Sequence, residues 1–587
     1  MLKIIRKLEA RDWLFVVISF GFIIVQVGMD MTMPQYMNRI TVLIETPGSK
    51  MSEVLTAGLM MLLCSLGSVI SSAVTAVFSA RIGADLGATL RRDLFTKVSS
   101  FSMEEIGNFS TASLVTRSTN DVQQVLLFLI MGLQMLFRAP VTAIWAICRI
   151  SGQEWQWSLA TVIGVVVVVT VVLTCIALTL PKVRKLQKLT DDLNRVTREN
   201  LTGLKVVRAY NAEGYQEAKF EKANSDLTSA QLFQYRTMAF MMPTMMAVQS
   251  CLMVSVYWIG AAVIGTIPTP GARIALFGDM LVFSQYAIMI VMSFIMLVIP
   301  LMMLPRASVA AGRINEVLNT VPAIRDGSAK EGQEGLAGDV VFNHVCFRYP
   351  DAEEDVLHDI TFTAKQGETV AFIGATGCGK STVINLVPRF YDVSDGEVLV
   401  DGVDVREYDQ CALRNKIAYV SQNAILFSGT IASNIAYGDN GQEPPTQEEV
   451  ADAAGTAQAL EFIEKEKDQF DAYVAQGGTN FSGGQKQRIS IARAIARKAE
   501  IIIFDDSFSA LDYKTDRTLR KALDEKCGDT TRLIVAQRIG TIRHADKIIV
   551  LDEGRMAGMG THEELMQNCE VYQQIARSQL SEEELAS

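Results

Sequence analysis

Thr369-Val-Ala-Phe-Ile-Gly374-Ala375-Thr376-Gly377-Cys378-Gly379-Lys380-Ser381-Thr382 is an apolar run that breaks into a glycine-rich turn and then continues as a helix-like segment. The turn fits GxxxxGK[ST] with a strand before it and a helix after it, the context a phosphate-binding loop requires. Glycines let backbone N–H groups close around phosphate oxygens, and the helix N-terminus adds the positive end of its dipole. Lys380 would reach the terminal phosphates, and the Ser381 hydroxyl would ligate Mg²⁺. About 125 residues on, Ile501-Ile-Ile-Phe-Asp505 reads as a buried strand ending in the carboxylate that such a site uses to hold the metal. Short β-rich runs at 340–347, 368–374 and 500–505 alternate with helical segments, the pattern of an α/β domain.

The residues before this domain have a different composition. The chain has 587 residues, too many for one core, and its net charge of −10 hides a split. Residues 1–305 carry 25 Lys/Arg against 19 Asp/Glu, and the rest carry 29 against 45. An acidic chain of this kind has no general attraction for nucleic acid, so no nucleic-acid partner is expected. Charge-free runs at 13–29, 54–80, 155–181, 237–272 and 280–305, with 122–147 interrupted only by Arg138, are each close to or beyond the roughly 20 residues that cross a bilayer. Six spans follow. Lys and Arg gather before the first span, at 81–121 and at 182–236, which places both termini and the α/β domain in the cytoplasm of a multi-pass plasma-membrane protein. Residues 1–12 suit a short interfacial helix, with no small-residue cleavage site to suggest a signal peptide. Helix-like stretches at 84–98 and 186–232 predict spans that project beyond the membrane. The nine cysteines are scattered, and no His shares metal-ligand spacing with another His or Cys, so neither a disulfide frame nor a zinc site is indicated.

Between the two nucleotide motifs stands Phe481-Ser482-Gly483-Gly484-Gln485, and with it the whole chain resembles the ATP-binding cassette (ABC) transporters. The resemblance implies an α-helical six-span membrane domain of the ABC exporter fold (1–320), a linker (321–337) and an α/β P-loop NTPase cassette (338–587). It also implies residue roles. Tyr349 would stack on adenine, and 374–382 would hold the phosphates. Gln422 would be the Q-loop residue and a metal contact, Ser482 to Gln485 the signature, and Ser509-Ala-Leu-Asp512 the D-loop. Residues 108–122 and 199–213 resemble the stretches preceding and containing the two coupling helices. The implied ligands are ATP and Mg²⁺, the latter on Ser381, Gln422 and Asp505.

Two positions depart from the family pattern. Asp506 stands where a glutamate usually polarises the attacking water, and Gln537 stands where a switch histidine is expected. Gln476 likewise replaces a frequent glutamate upstream of the signature. A carboxylate one methylene shorter falls about an ångström short, and misplacement on that scale can cost ~100-fold in rate. The preferred reading is one half of a heterodimer, resembling the degenerate-site subunit of bacterial multidrug exporters. Its own site would grip MgATP while its intact signature completes a competent site on a partner half-transporter that has Glu and His. A drifted homodimer, a lipid or peptide exporter, and a regulatory or channel-like subunit are the alternatives. Cargo clues are few. Arg138 suits structural pairing or cargo contact, and the Met-rich run 238–246 suits core filling or a soft surface for apolar or amphipathic small molecules. Cys378 reads as a small filler within the loop, with a reactive thiol beside the helix N-terminus as the alternative.

Overall fold

The computed structural model describes residues 1–46 and 48–579, in two compact units: Met1–Ser99 with Ser110–Thr320, and Ser100–Phe109 with Val321–Ser587. The first unit holds six helices long and apolar enough to cross a membrane, within Ala10–Glu45, Met51–Ser99, Thr111–Ile150, Trp155–Thr202, Glu213–Thr266 and Pro270–Asn319. No more than 33% of any span's most apolar window is buried, and side chains such as Leu62, Val69 and Ile144 lie open, a surface suited to lipid rather than water. At 1.5 Å per residue the 54-residue Glu213–Thr266 helix is about 80 Å long, well over twice the ~30 Å of hydrocarbon.

Three local expectations change. Residues 186–232 are not one helix: the chain stops at Thr202, makes the short Leu204–Ala209 helix, turns through Asn211 at φ +48°, and restarts at Glu213. The apolar run 237–272 is likewise divided, because Pro270 occupies the first turn of a new helix, where a missing N–H costs nothing. The start is a four-residue helix, Leu2–Ile5, followed by the first span, whose entry is fixed by a Glu9/Asp12 capping box.

One polar cluster within the spans is paired. Asp30 accepts from Ser68 Oγ at 2.5 Å and from Arg138 Nη2 at 3.1 Å, which ties three helices together. Arg138 therefore has the structural pairing its sequence context allowed. In the Met-rich run, Met245 is buried while Met242 and Met246 are exposed, so the run serves both packing and surface.

In the second unit a six-stranded sheet runs β12-β11-β3-β10-β9-β6, with β3 Thr369–Gly374, β6 Ile417–Val420, β9 Ile501–Asp505, β10 Thr531–Val535, β11 Lys547–Asp552 and β12 Arg555–Gly560. All its pairings are parallel except β11 with β12. A four-stranded antiparallel sheet, β2-β1-β4-β5, is built from β1 Val340–Phe347, β2 Leu357–Ala364, β4 Asp395–Val400 and β5 Val403–Asp404, and β7 Gly429–Thr430 pairs with β8 Tyr473–Val474 apart from both sheets. Strands β9 and β10 are buried at every position, as parallel strands covered on both faces must be. Segment 321–337 is bonded to this unit rather than free: Gly327 N donates to Tyr408 O at 2.9 Å, and Gln333 N donates to Asp401 O at 2.8 Å. Buried Glu105 adds to this by accepting from Ala323 N at 2.8 Å and from Ser102 N at 2.7 Å.

Removing one member of a half-buried pair within the spans leaves the other charge without its partner. Asp30→Leu and Arg138→Leu should each lower the melting temperature of the solubilised protein. The double substitution should recover much of that loss.

Candidate functional site

The order β3-β10-β9 decides where the chemistry gathers. With β10 between them and all three parallel, the phosphate loop after β3, the acids at the end of β9 and the turn after β10 emerge side by side at the carboxyl ends of the strands, where α/β sheets bind ligands. The loop itself depends on glycine. Gly377 and Gly379 lie at φ +88° and +96°, and a Cβ on Gly374 would stand 2.1 Å from the Leu551 carbonyl oxygen. Gly379 caps the Lys380–Leu386 helix. The Lys380 ammonium donates to the Gly374 and Ala375 carbonyls at 2.9 and 2.7 Å. Cys378 is buried beneath the loop, as a filler would be.

A cavity of about 330 Å³ brings together Tyr349, Thr376, Gly377, Gly379, Lys380, Ser381, Thr382, Gln422, Asp506 and Gln537. Val356 and Val535 complete its lining, two apolar contributions that no motif announced. The Tyr349 hydroxyl lies 3.1 Å from Thr382 Oγ1, and its ring is held edge-on by Phe347 and Tyr391. The Ser381 hydroxyl donates to Asp505 Oδ1 at 2.7 Å, so a hydroxyl and a carboxylate oxygen stand together. Sequence reading missed the group behind them: the Tyr419 hydroxyl lies 3.1 Å from Asp505 Oδ2 and 3.0 Å from Asn385 Oδ1. Burial, and then the Asp505 charge, push the Tyr419 phenol up, so it remains a neutral donor.

Asp506 sits at φ +46°, a conformation Asp tolerates better than most residues. Its Oδ2 accepts from Gln537 Nε2 at 2.8 Å and from Gln422 Nε2 at 3.1 Å. Burial raises its pKa against the lowering effect of the Gln422 bond, and neighbouring Asp505 adds to the rise. The carboxylate is thus engaged by two amides, neither of which can take up a proton near neutrality.

Ser482, Gly483, Gly484 and Gln485 do not line this cavity. They form the start of the Gly483–Ala496 helix, where Ser482 Oγ accepts from Gln485 N and Gln485 Oε1 accepts from Ser482 N in a capping box. Asp512 caps the Tyr513–Lys526 helix. Among the described residues no group of three or more His, Cys, Asp or Glu could hold a metal.

Comparison with known proteins gives this geometry a family. The model of the ABC transporter transmembrane region matches residues 16–294, and the ABC transporter model matches residues 357–509. An ABC transporter ATP-binding protein of Mycobacterium tuberculosis is 39% identical over 518 residues, 88% of this chain and 86% of the relative. This chain belongs to the ABC transporter family. It is an ABC exporter half-transporter: a multi-pass membrane domain fused to an ATP-binding cassette that couples ATP hydrolysis to transport, in a family whose exporters work as dimers in a membrane. The ATP-dependent lipid A-core flippase of Pseudomonas aeruginosa is 32% identical over 493 residues, 83% of this chain and 79% of the flippase. A solved bacterial Atm1-family ABC exporter with ATP bound shares the fold at a TM-score of 0.79, with 23% identity, covering 97% of this chain and 99% of that one. Tyr349 and Gln537 lie outside the matched cassette segment, and it is the folded half-transporter that brings them to the cavity.

Gly374→Ala should abolish nucleotide binding, because the clash is with backbone that cannot rotate away. Equilibrium binding of a fluorescent ATP analogue measures this, with the melting temperature reporting any wider damage.

Proposed function

We propose that this half-transporter supplies the degenerate ATP site of a heterodimeric exporter of amphipathic or apolar small molecules. The observation that carries the reading is the state of Asp506, a short carboxylate whose Oδ2 accepts from both Gln537 and Gln422. A general base must reach a water and take its proton. Asp506 is one methylene shorter than the usual glutamate, and the amide at 537 cannot exchange protons as an imidazole would.

ATP fits the cavity through its own residues. Lys380 would exchange the Gly374 and Ala375 carbonyls for phosphate oxygens, Thr376 to Thr382 would surround the phosphates, and the Tyr349 ring would stack on the base. The donor set suits Mg²⁺, a hard cation held by few protein oxygens beside substrate phosphates: Ser381 and Asp505 would hold it, with Gln422 as a further contact. Bound there, Mg²⁺ would neutralise phosphate charge. ATP binds the closed cassette pair better than the open one and so biases the coupled membrane domains outward. The site of this chain would hold the pair together. Its signature, Ser482 to Gln485, stands away from its own cavity and is free to complete the partner's competent site. Hydrolysis there resets the cycle. The basic segments at 1–12, 81–121 and 182–236 support a cytoplasmic cassette with both termini on that side of the plasma membrane.

A homodimeric lipid exporter is the second reading, favoured by the flippase relatives, whose named cargo is itself amphipathic. Turnover separates the two. The purified chain alone in nanodiscs should hydrolyse ATP slowly, and Asp506→Glu with Gln537→His should raise its rate by about 100-fold. Asp506→Glu alone should gain less, because Gln537 still offers no proton-exchanging group and a longer side chain fits the positive φ less well. Brisk hydrolysis and cargo movement by the unmodified chain alone would establish the homodimer instead.

A further inference from the structure

The last described helix, Glu570–Gln579, reaches the nucleotide site through its final residue. Tyr572 and Ala576, both fully buried, anchor the helix, and the Tyr572 hydroxyl lies 2.7 Å from His562 Nδ1. One turn past Ala576, the Gln579 amide meets the turn that follows β10. Its Nε2 donates to the Gln537 carbonyl oxygen at 2.8 Å, and its Oε1 accepts from Ile539 N at 2.9 Å.

The second bond answers a local need. The Ile539–Ile542 helix begins after Arg538, whose side chain makes no capping bond. The first turn of a helix leaves N–H groups without intrahelical acceptors, and a side chain some forty positions later in the chain satisfies this one. A single planar amide thus grips residues 537 and 539 on either side of Arg538. That grip fixes the backbone from which the Gln537 side chain projects to donate to Asp506. The chain of contacts runs Gln579, Gln537, Asp506, Gln422, from the end of the last helix to the wall of the cavity.

We propose that Gln579 is a positioning residue for the nucleotide site, holding the turn after β10 so that Gln537 meets Asp506 and faces bound ATP. Gln579 itself touches no nucleotide. Anything that shifts the last helix, such as clipping it or binding another protein to it, then alters nucleotide affinity without touching the phosphate loop. The inference requires only that the cavity binds ATP, as the family does, and is independent of whether the partner is a second copy or a different chain.

The test is a double-mutant cycle on the full-length protein in nanodiscs, reading MgATP affinity by displacement of a fluorescent ATP analogue. Gln579→Met keeps the length of the side chain and removes both bonds. The melting temperature is read alongside, to report any wider effect of the uncapped Ile539 N–H. Gln579→Met and Gln537→Ala should each weaken MgATP binding about 3- to 10-fold, and the double variant should bind no more weakly than Gln537→Ala alone. If Gln579→Met also lowers the melting temperature, Gln579→Glu replaces it: this variant retains the acceptor for Ile539 N, sets a carboxylate against the Gln537 carbonyl, and should show the same loss. Unaltered affinity in either single variant overturns the proposal, as do losses that simply multiply in the double.

Discussion

Side-by-side parallel pairing of β3, β10 and β9 is the constraint on which the nucleotide site depends. Each strand is apolar through its centre because it is covered on both faces, and polar groups gather at the strand ends, where the backbone leaves the sheet. The loop after Gly374, the acids at 505 and 506 and the amide at 537 are three such endings. Slipping one strand by a residue would turn Asp505 into the packed interior and carry Ser381 out of its reach.

Around that arrangement, the character of the site is set by hydrogen-bond inventory rather than by shape. Ser381 and Asp505 form an oxygen pair backed by the neutral Tyr419 donor. Asp506, one residue on, is surrounded by amides that donate and do not titrate. Two adjacent carboxylates thus have different surroundings, one suited to a cation and the other restrained, in the same strand ending. The membrane half follows the same economy: Asp30, Arg138 and Ser68 satisfy one another across three helices where neither water nor lipid would.

Much of this was legible in the residues. The phosphate loop is contiguous, and its chemistry is carried by glycine positions and one Lys-Ser pair, so its place in the fold could be read from eight residues and their flanks. The six spans were legible because length and apolarity are additive along a chain. Helix ends were not. The break after Thr202 lies inside a segment whose composition runs on unchanged, and only the backbone turn at Asn211 locates it, whereas the restart at Pro270 lies in a charge-free run that its own prolines divide. Tyr419, Asn385 and Gln579 carried no signal at all, since nothing in their neighbourhoods marks them.

By itself the sequence determined that this half-transporter has a membrane domain, a glycine-rich loop of the phosphate-binding pattern, an acid ending a buried strand, and a short acid and an amide at two positions that depart from the family pattern. These are properties of residue type and local order, which need no partner to be expressed. The tertiary structure decided which of them meet. It placed the amides of Gln422 and Gln537 on one oxygen of Asp506, kept the signature away from the cavity of its own chain, and brought the end of the last helix to the turn after β10. Contacts between residues tens of positions apart depend on strand order and helix docking, and a linear chain encodes those only through the packing of the whole.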